Sequence, residues 1–342
     1  MSVVQLVQQK NILVTGGAGF IGSHLCDILV KQGNVICLDN FITGHISNIE
    51  HLLHLPNFEF VKHDIVEAID LEALPELKKF KIPFHGIQEI YHLACPTSHY
   101  ENHAHQLATA LTNGIGTKHI LDLTVKYRAV LLFTSSEAIY GWPTDKDSIA
   151  PYHEEYWGYV NPLSSRGCYD EGKRYAESLI MIYRDEHKLD TRILRIFPTY
   201  GPRMSLRDNR MIPRLISEAL NNQKMNIYGQ PTDRTTLCYI TDVIEAITKM
   251  MKSELAGPIN IGSENTVSLK EIGEKIKTIT GATSEISFEN ESPFTHYRAT
   301  PDITLARNKL GWFPVVPLDE GLRLTIEDMR GSQVVGIQDI KV

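Results

Sequence analysis

Asn11-Ile-Leu-Val-Thr-Gly-Gly-Ala-Gly-Phe-Ile-Gly22 is the stretch that decides the fold. The apolar run Asn11 to Thr15 ends in glycines at 16, 19 and 22, and from Phe20 to Lys31 apolar residues (Phe20, Ile21, Leu25, Ile28, Leu29) recur at helical spacing. Strand, glycine turn and helix in this order let the backbone turn sharply. They also let a pyrophosphate approach a helix N-terminus, where unpaired amides and the helix dipole favour an anion. The stretch therefore predicts a dinucleotide site. Seventeen residues after Gly22, Asp39 ends the next apolar run and sets a carboxylate where an adenosine ribose would present its hydroxyls. An acid there selects NAD over NADP, because a 2′-phosphate would meet an anion with no Arg beside it.

Further apolar runs follow at Val35 to Leu38, Phe58 to Val61, Glu89 to Leu93, Ala129 to Phe133 and Thr191 to Phe197, with helical patterns between most of them. That alternation predicts an α/β fold, a Rossmann-type doubly wound parallel sheet covered by helices on both faces. After Phe197 the pattern is punctuated by Pro198, Gly201, Pro202, Pro213, Gly229 and Pro231, so a smaller C-terminal lobe is expected to begin there. The division expected is 1–197 for the NAD-binding domain, with a later return near 236–254, then 198–330 for the lobe and 331–342 for a loosely held tail. Residues 68–86 read as a long connection between the third and fourth strands, and no internal repeat is visible.

Composition narrows the partners. The 342 residues carry 34 basic and 41 acidic side chains, a formal charge of −7, which argues against a binder of nucleic acid. No run approaches the roughly 18 to 20 apolar residues of a membrane span, and Met1 to Lys10 has neither a basic start nor a small-residue cleavage site. A cytoplasmic protein with no membrane contact is expected. The five cysteines are scattered without a C-x-x-C pair, so no disulfide framework or zinc site is expected. The cluster His99, His103, His105 reads as a solvated loop, and no metal is expected.

Two further constellations carry chemistry. Tyr169-Asp-Glu-Gly-Lys173 opens a helical stretch, and the four-residue spacing sets phenol and ammonium on one face. A free phenol is a poor base at neutral pH. Lowering its pKa by about three units takes roughly 4 kcal/mol, which a nearby Lys and an oxidised nicotinamide can supply together. Phe133-Thr-Ser-Ser-Glu-Ala-Ile-Tyr-Gly141 leaves the fifth strand at the carboxyl edge, where ligands bind in a doubly wound sheet. Ser135 or Ser136 is expected to hydrogen-bond a substrate hydroxyl. Glu137 either does proton chemistry or caps the next turn.

These constellations together resemble the extended short-chain dehydrogenase/reductase superfamily, the NAD-dependent epimerase/dehydratase family. Longer stretches are similar to its UDP-glucuronate decarboxylase (UDP-xylose synthase) branch. They are Val35-Ile-Cys-Leu-Asp-Asn-Phe-Ile-Thr-Gly44, His92-Leu-Ala-Cys-Pro96, Tyr156-Trp-Gly-Tyr-Val-Asn-Pro162, Arg166-Gly-Cys-Tyr-Asp-Glu-Gly-Lys-Arg174, Tyr200-Gly-Pro-Arg-Met204 and Pro301-Asp-Ile-Thr-Leu-Ala306. The likeness runs from about residue 11 to residue 328. It implies that Gly16, Gly19, Phe20, Ile21, Gly22, Asp39, Asn40, Thr43 and Gly44 hold NAD. Asp64 and Ile65 would flank the adenine, Leu93, Ala94 and Cys95 would line the cofactor, and Tyr169 and Lys173 would reach it. Arg203 and Tyr228 would touch the nucleotide of a UDP-linked sugar, and Arg234 would bind substrate in the lobe. A homodimer is implied, with helices near 107–125 and 170–186 packed against their copies as a four-helix bundle.

In the reaction the resemblance implies, Tyr169 as phenolate takes the proton of the sugar's C4 hydroxyl while a hydride passes to NAD. Lys173 tunes Tyr169 and holds the ribose. A carboxylate on C5 is then β to a ketone and leaves as carbon dioxide, after which the hydride returns to C4. Three departures from the family pattern bear on this. Ser136 stands on the family's Thr, Glu137 on a Ser and Ala138 on the acidic position. Arg234 falls one place before the family's Arg, leaving Thr235 in that register, and Pro198 stands where an Asn is usual. A carboxy-lyase is favoured, with a 4-epimerase or a 4,6-dehydratase as rivals; the dehydratase usually wants an adjacent Asp-Glu pair, of which Ala138 removes one. A dinucleotide sensor without catalysis is the reading from a different class, and Tyr169 with Lys173 argues against it.

Overall fold

The structure is a computed structural model that describes residues 9–97, 105–141, 151–205, 208–289 and 300–335. The six expected strands are present as β1 (Lys10–Thr15), β2 (Gly33–Asp39), β3 (Phe58–Lys62), β4 (Glu89–His92), β5 (Val130–Ser136) and β6 (Thr191–Ile196). A seventh strand, Ile259–Ile261, pairs with β6, and the sheet runs in the order seventh, β6, β5, β4, β1, β2, β3 with every pairing parallel. Three residues are too short an apolar run to announce a strand. β1 therefore lies between β2 and β4, where the winding reverses, and the crevice at that reversal is where such sheets bind ligands.

Ile12, Leu13 and Val14 in β1 are all fully buried, as a strand covered on both faces requires. Alternation sends Ile12 and Val14 to a core shared with Leu25, Leu29, Val243 and Ile247, and Leu13 to a core shared with Ile90, Ile120, Leu121 and Ile180. The first core is closed by the helices Phe20–Leu29 and Ile240–Lys252. The second is closed by Thr117–Tyr127 and by Gly167–His187. Helix Gln106–Leu111 runs into Thr117–Tyr127 through a wide turn at Thr112–Gly116.

The connection over 68–86 is more ordered than its sequence suggested. It folds into two short helical turns, Pro75–Phe80 and Ile82–His85, because Leu71, Leu77, Phe80 and Ile82 bury themselves in the second core. In the lobe, helices Met211–Leu220 and Leu269–Thr280 pack together with the paired strands Met225–Tyr228 and Ile286–Glu289. Ser268 and Glu271 form a reciprocal cap at the start of Leu269–Thr280, and Gly281 ends it in the left-handed region at φ 73°. The expected tail after Arg330 needs correction: the last helix runs Leu318–Val335, so the chain stays helical for five residues beyond Arg330. Residues 336–342 lie outside those described.

His99 and His103 also lie outside the described residues, and His105 precedes the helix at Gln106. Among the described residues no cluster of His, Cys, Asp or Glu could hold a metal ion, and no helix is long and apolar enough to cross a membrane.

Candidate active site

A cleft of about 610 Å³ opens along the carboxyl ends of the strands and against the lobe. Its cofactor half is built by the turn after β1. Gly16 lies at φ 72°, and a Cβ there would stand 2.8 Å from the Ala94 amide nitrogen. A Cβ on Gly22 would stand 2.1 Å from the Gly16 carbonyl oxygen, so the turn is pressed against the first helix with no space for side chains. Gly19, Phe20 and Ile21 line the same edge. This is a cradle of bare backbone at a helix N-terminus, and it fits a pyrophosphate.

Asp39 ends β2 facing this turn, where its Oδ2 accepts the Ala18 amide at 3.0 Å and its Oδ1 the Phe41 amide at 2.8 Å. Burial pushes its pKa up, and the amides of Phe41, Ala18 and Asn40 act against that push. Asn40 donates to Asp64 Oδ2 at 3.0 Å, and Thr43, Gly44, Asp64 and Ile65 complete this end of the cleft. Leu93, Ala94 and Cys95 line it after β4. Beneath them lies a tie the sequence did not announce. His92 Nδ1 is 2.8 Å from Thr15 Oγ1, His92 Nε2 is 3.1 Å from Thr117 Oγ1, and the Ala94 amide donates to Thr15 Oγ1 at 3.3 Å. Burial, with help from Lys173, pushes the His92 pKa down to about 3, so a neutral ring joins the turns after β1 and β4.

Helix Gly167–His187 carries Tyr169 and Lys173 into the middle of the cleft. Lys173 donates to the Thr134 carbonyl oxygen at 2.9 Å, and its Nζ is 4.6 Å from the centre of the Phe133 ring and 6.0 Å from that of Tyr169. Burial pulls the Lys173 pKa down. Burial also raises the phenol of Tyr169, and Cys95 and Glu137 push the same way; a hydrogen bond with Ser136 and the charge of Arg166 oppose them. Ser136, at the end of β5, donates to Glu137 Oε2 at 2.8 Å and accepts the Ala138 amide at 3.2 Å. Ser136 is therefore the cap of the short turn Glu137–Tyr140, and Glu137 instead faces the cleft. Burial raises the Glu137 carboxyl, opposed by Ser136 and Arg166. Both serines line the cleft, and the Ser135 hydroxyl is buried without a hydrogen-bond partner among the described residues.

Arg166 was not expected in the site. It stands just ahead of the helix, its Nε donates to both oxygens of Asp170 at 3.1 and 3.2 Å, and its guanidinium lies 5.7 Å from the centre of the Tyr169 ring. Its place three residues before Tyr169, with an acid four residues on, is the signal that could have found it.

In the lobe, Tyr228 lines the cleft with the Arg214 guanidinium 4.9 Å from its ring centre. Arg203 lines it too, in the left-handed region at φ 66°, with Nη2 on Asp27 at 2.7 Å and its amide on Asp328 at 2.8 Å. Arg234 is the exception among the expected site residues. It points out of the cleft, giving Nε to Thr266 Oγ1 at 2.8 Å and Nη2 to the Thr266 carbonyl at 2.7 Å, and Thr235 lines the cleft in its stead. Neighbours on a strand face opposite sides, so a shift of one residue in the strand Arg234–Thr236 exchanges which of the two faces the ligand.

Sheet, glycine cradle and the Tyr169–Lys173 pair define a dinucleotide-dependent enzyme of the Rossmann type. The chain belongs to the NAD dependent epimerase/dehydratase family, whose model matches residues 12–262. UDP-glucuronic acid decarboxylase 1 of Xenopus tropicalis is 39% identical to it over 94% of this chain and 72% of its own length. UDP-glucuronic acid decarboxylase 6 of Arabidopsis thaliana is likewise 39% identical, over 93% of this chain and 88% of its own. Among solved structures, UDP-glucuronic acid 4-epimerase from Bacillus cereus in complex with UDP-glucuronic acid and NAD gives a TM-score of 0.79 at 27% identity, over 94% of this chain and 99% of that one. The protein is an NAD-dependent enzyme.

Proposed function

We propose that this protein decarboxylates UDP-glucuronate to UDP-xylose through a 4-keto sugar. The reading is carried by Tyr169, one helical turn from Lys173 between a dinucleotide cradle and a lobe, in a chain 39% identical to UDP-glucuronic acid decarboxylases. Bound NAD supplies the acceptor, and afterwards the donor, of the C4 hydride. Tyr169 takes the proton of the C4 hydroxyl, Ser136 orients that hydroxyl, and Lys173 holds positive charge beside the phenol. With C4 a ketone, the bond from C5 to its carboxylate breaks, carbon dioxide leaves and the electron pair passes into the carbonyl as an enolate; C5 then takes up a proton from water before the hydride returns to C4. Asp39 takes the adenosine ribose, the cradle from Gly16 to Gly22 the pyrophosphate, and Asp64 and Ile65 the adenine. Arg203 and Tyr228 serve the nucleotide of the sugar. Residues 1–197 with the return through Ile240–Lys252 serve as the cofactor domain and most of 198–330 as the substrate lobe.

A 4-epimerase acting on the same sugar is the second reading, favoured by Ala138, which leaves the family's acidic position without an acid. Incubation with UDP-glucuronate and NAD separates the two. Release of carbon dioxide with UDP-xylose is the expected result, UDP-galacturonate in its place would establish the epimerase, and absence of any turnover would favour a sensor.

The same reading makes the enzyme a cytoplasmic homodimer. Leu107, Ile115, Tyr175, Met181 and Ile182 are exposed on the two helices expected to form a four-helix bundle, and the five cysteines are unpaired, as suits a reducing compartment.

A further inference from the structure

Four hydrogen bonds run in line beneath the cofactor half of the cleft. The Ala94 amide donates to Thr15 Oγ1 at 3.3 Å, and Thr15 Oγ1 lies 2.8 Å from His92 Nδ1. His92 Nε2 lies 3.1 Å from Thr117 Oγ1, and the Thr117 hydroxyl donates to the Thr112 carbonyl oxygen at 3.5 Å. Thr15, His92 and Thr117 are at most 1% exposed, so their hydrogens must be spent inside this line. Counting them fixes the tautomer. With the ring hydrogen on Nε2, Thr15 donates to Nδ1, Nε2 donates to Thr117 and Thr117 donates to Thr112, with nothing left over. With it on Nδ1, Thr15 Oγ1 accepts twice and its own hydrogen has no acceptor among the described residues. A doubly protonated ring fails in the same way.

We propose that His92, as its neutral Nε2–H tautomer, is a positioning residue for NAD. Through Thr15 it holds the glycine turn after β1 against the loop after β4, and through Thr117 it anchors both to the wide turn at Thr112–Gly116. No proton moves along the line. This role rests on the reading of the cofactor half of the cleft as the NAD site. Its consequence for the reaction is retention: an enzyme that gives its hydride back must keep NADH through the cycle, and walls that part would release it.

The surroundings suit the task. Gly16 follows Thr15 directly, and a Cβ on it would stand 2.8 Å from the Ala94 nitrogen, so the two segments joined by the line already touch. Gly16, Ala94 and Thr112 all line the cleft. A slip between them would therefore reach the dinucleotide at once. The Phe133 ring packs beside His92 at 5.4 Å between centres, and burial with the charge of Lys173 opposes a second proton on the imidazole.

The test uses the full chain and two readouts. The first needs no cofactor. With nitrogen-15-labelled histidine, NMR should find the His92 hydrogen on Nε2 and a bare Nδ1, its signals being those that His92→Phe removes. Thr15→Val should shift the Nδ1 signal, because the donor to it is gone, and Thr15→Ser should leave it in place. The second readout is calorimetric titration with NAD, well below each melting temperature. His92→Phe, Thr15→Val and Thr117→Val should each bind NAD about tenfold more weakly, roughly what one lost hydrogen bond is worth. Thr15→Ser should bind as the wild type does. Ile180→Val, a change in the second core outside the line, should lower the melting temperature and leave NAD affinity where it was. A hydrogen found on Nδ1, NAD affinity unmoved in Thr15→Val and Thr117→Val, or an equal loss in Ile180→Val would each overturn the role of His92 while leaving the site itself standing. A wild type that binds no NAD would overturn the role together with the reading of the site.

Discussion

Lys173 gives its buried ammonium to the Thr134 carbonyl oxygen, 2.9 Å away, and so is held at the end of β5 one helical turn from Tyr169. The two residues thereby differ in what their removal should do. Tyr169→Phe deletes one oxygen, so turnover should fall by about 10² to 10⁴, the span of a lost general base, while NAD affinity stays close to that of the wild type. Lys173→Met should lose affinity as well, and it leaves a buried carbonyl without its donor at a cost of about 1–3 kcal/mol. Calorimetric titration with NAD beside rate measurements separates the two, and turnover retained in Tyr169→Phe would remove it as the base.

Asp39 is the second place where one side chain has two duties. Like charges brought together cost on the order of several kcal/mol, so NADP should bind at least about 10² more weakly than NAD. Asp39→Asn ought to narrow that gap. It should also lower the melting temperature, because an amide presents only one acceptor oxygen to the Ala18 and Phe41 N–H groups that the carboxylate now satisfies. Equal binding of the two cofactors by the wild type would contradict the ribose assignment.

What was legible in the sequence was local. β1, the glycine turn and the first helix follow from short-range pattern, and the spacing of Tyr169 and Lys173 from the helical repeat. The strand Ile259–Ile261 was not legible because three apolar residues carry no period, and the helical turns within 68–86 form only because a core is there to receive them. The tie of Thr15, His92 and Thr117 spans three elements far apart in the chain, and no spacing announces it. Arg234 shows the opposite failure. The residue type and approximate position read as substrate binding, but strand alternation, which is all or nothing, turned it to the other side.

Arg234 accordingly gives a prediction of indifference. Its guanidinium is engaged by Thr266 on the outer side of the lobe, so Arg234→Ala should leave kcat and KM for the nucleotide sugar close to wild type. Losing an exposed contact should cost little stability. Thr235→Arg, by contrast, should alter KM, since Thr235 lines the cleft. A tenfold rise in KM for Arg234→Ala would mean that the lobe rearranges to bring this side chain to the substrate.

The proposed dimer would rest on apolar surface that a monomer has no use for. Leu107 is 72% exposed near the start of Gln106–Leu111, and this helix packs against Gly167–His187, which carries exposed Tyr175 and Ile182. Fully burying one leucine is worth about 1.5–3 kcal/mol, and a twofold interface counts each change twice. Leu107→Asp should therefore weaken association by about 10² to 10⁴, and the variant should sediment as a monomer at concentrations where the wild type is a dimer. The fold itself should tolerate the change, because the position is open to solvent and an acid near a helix N-terminus is favoured by the dipole. An unchanged melting curve with a shifted sedimentation coefficient is the expected pair of results. A variant that remains dimeric would exclude these two helices as the interface.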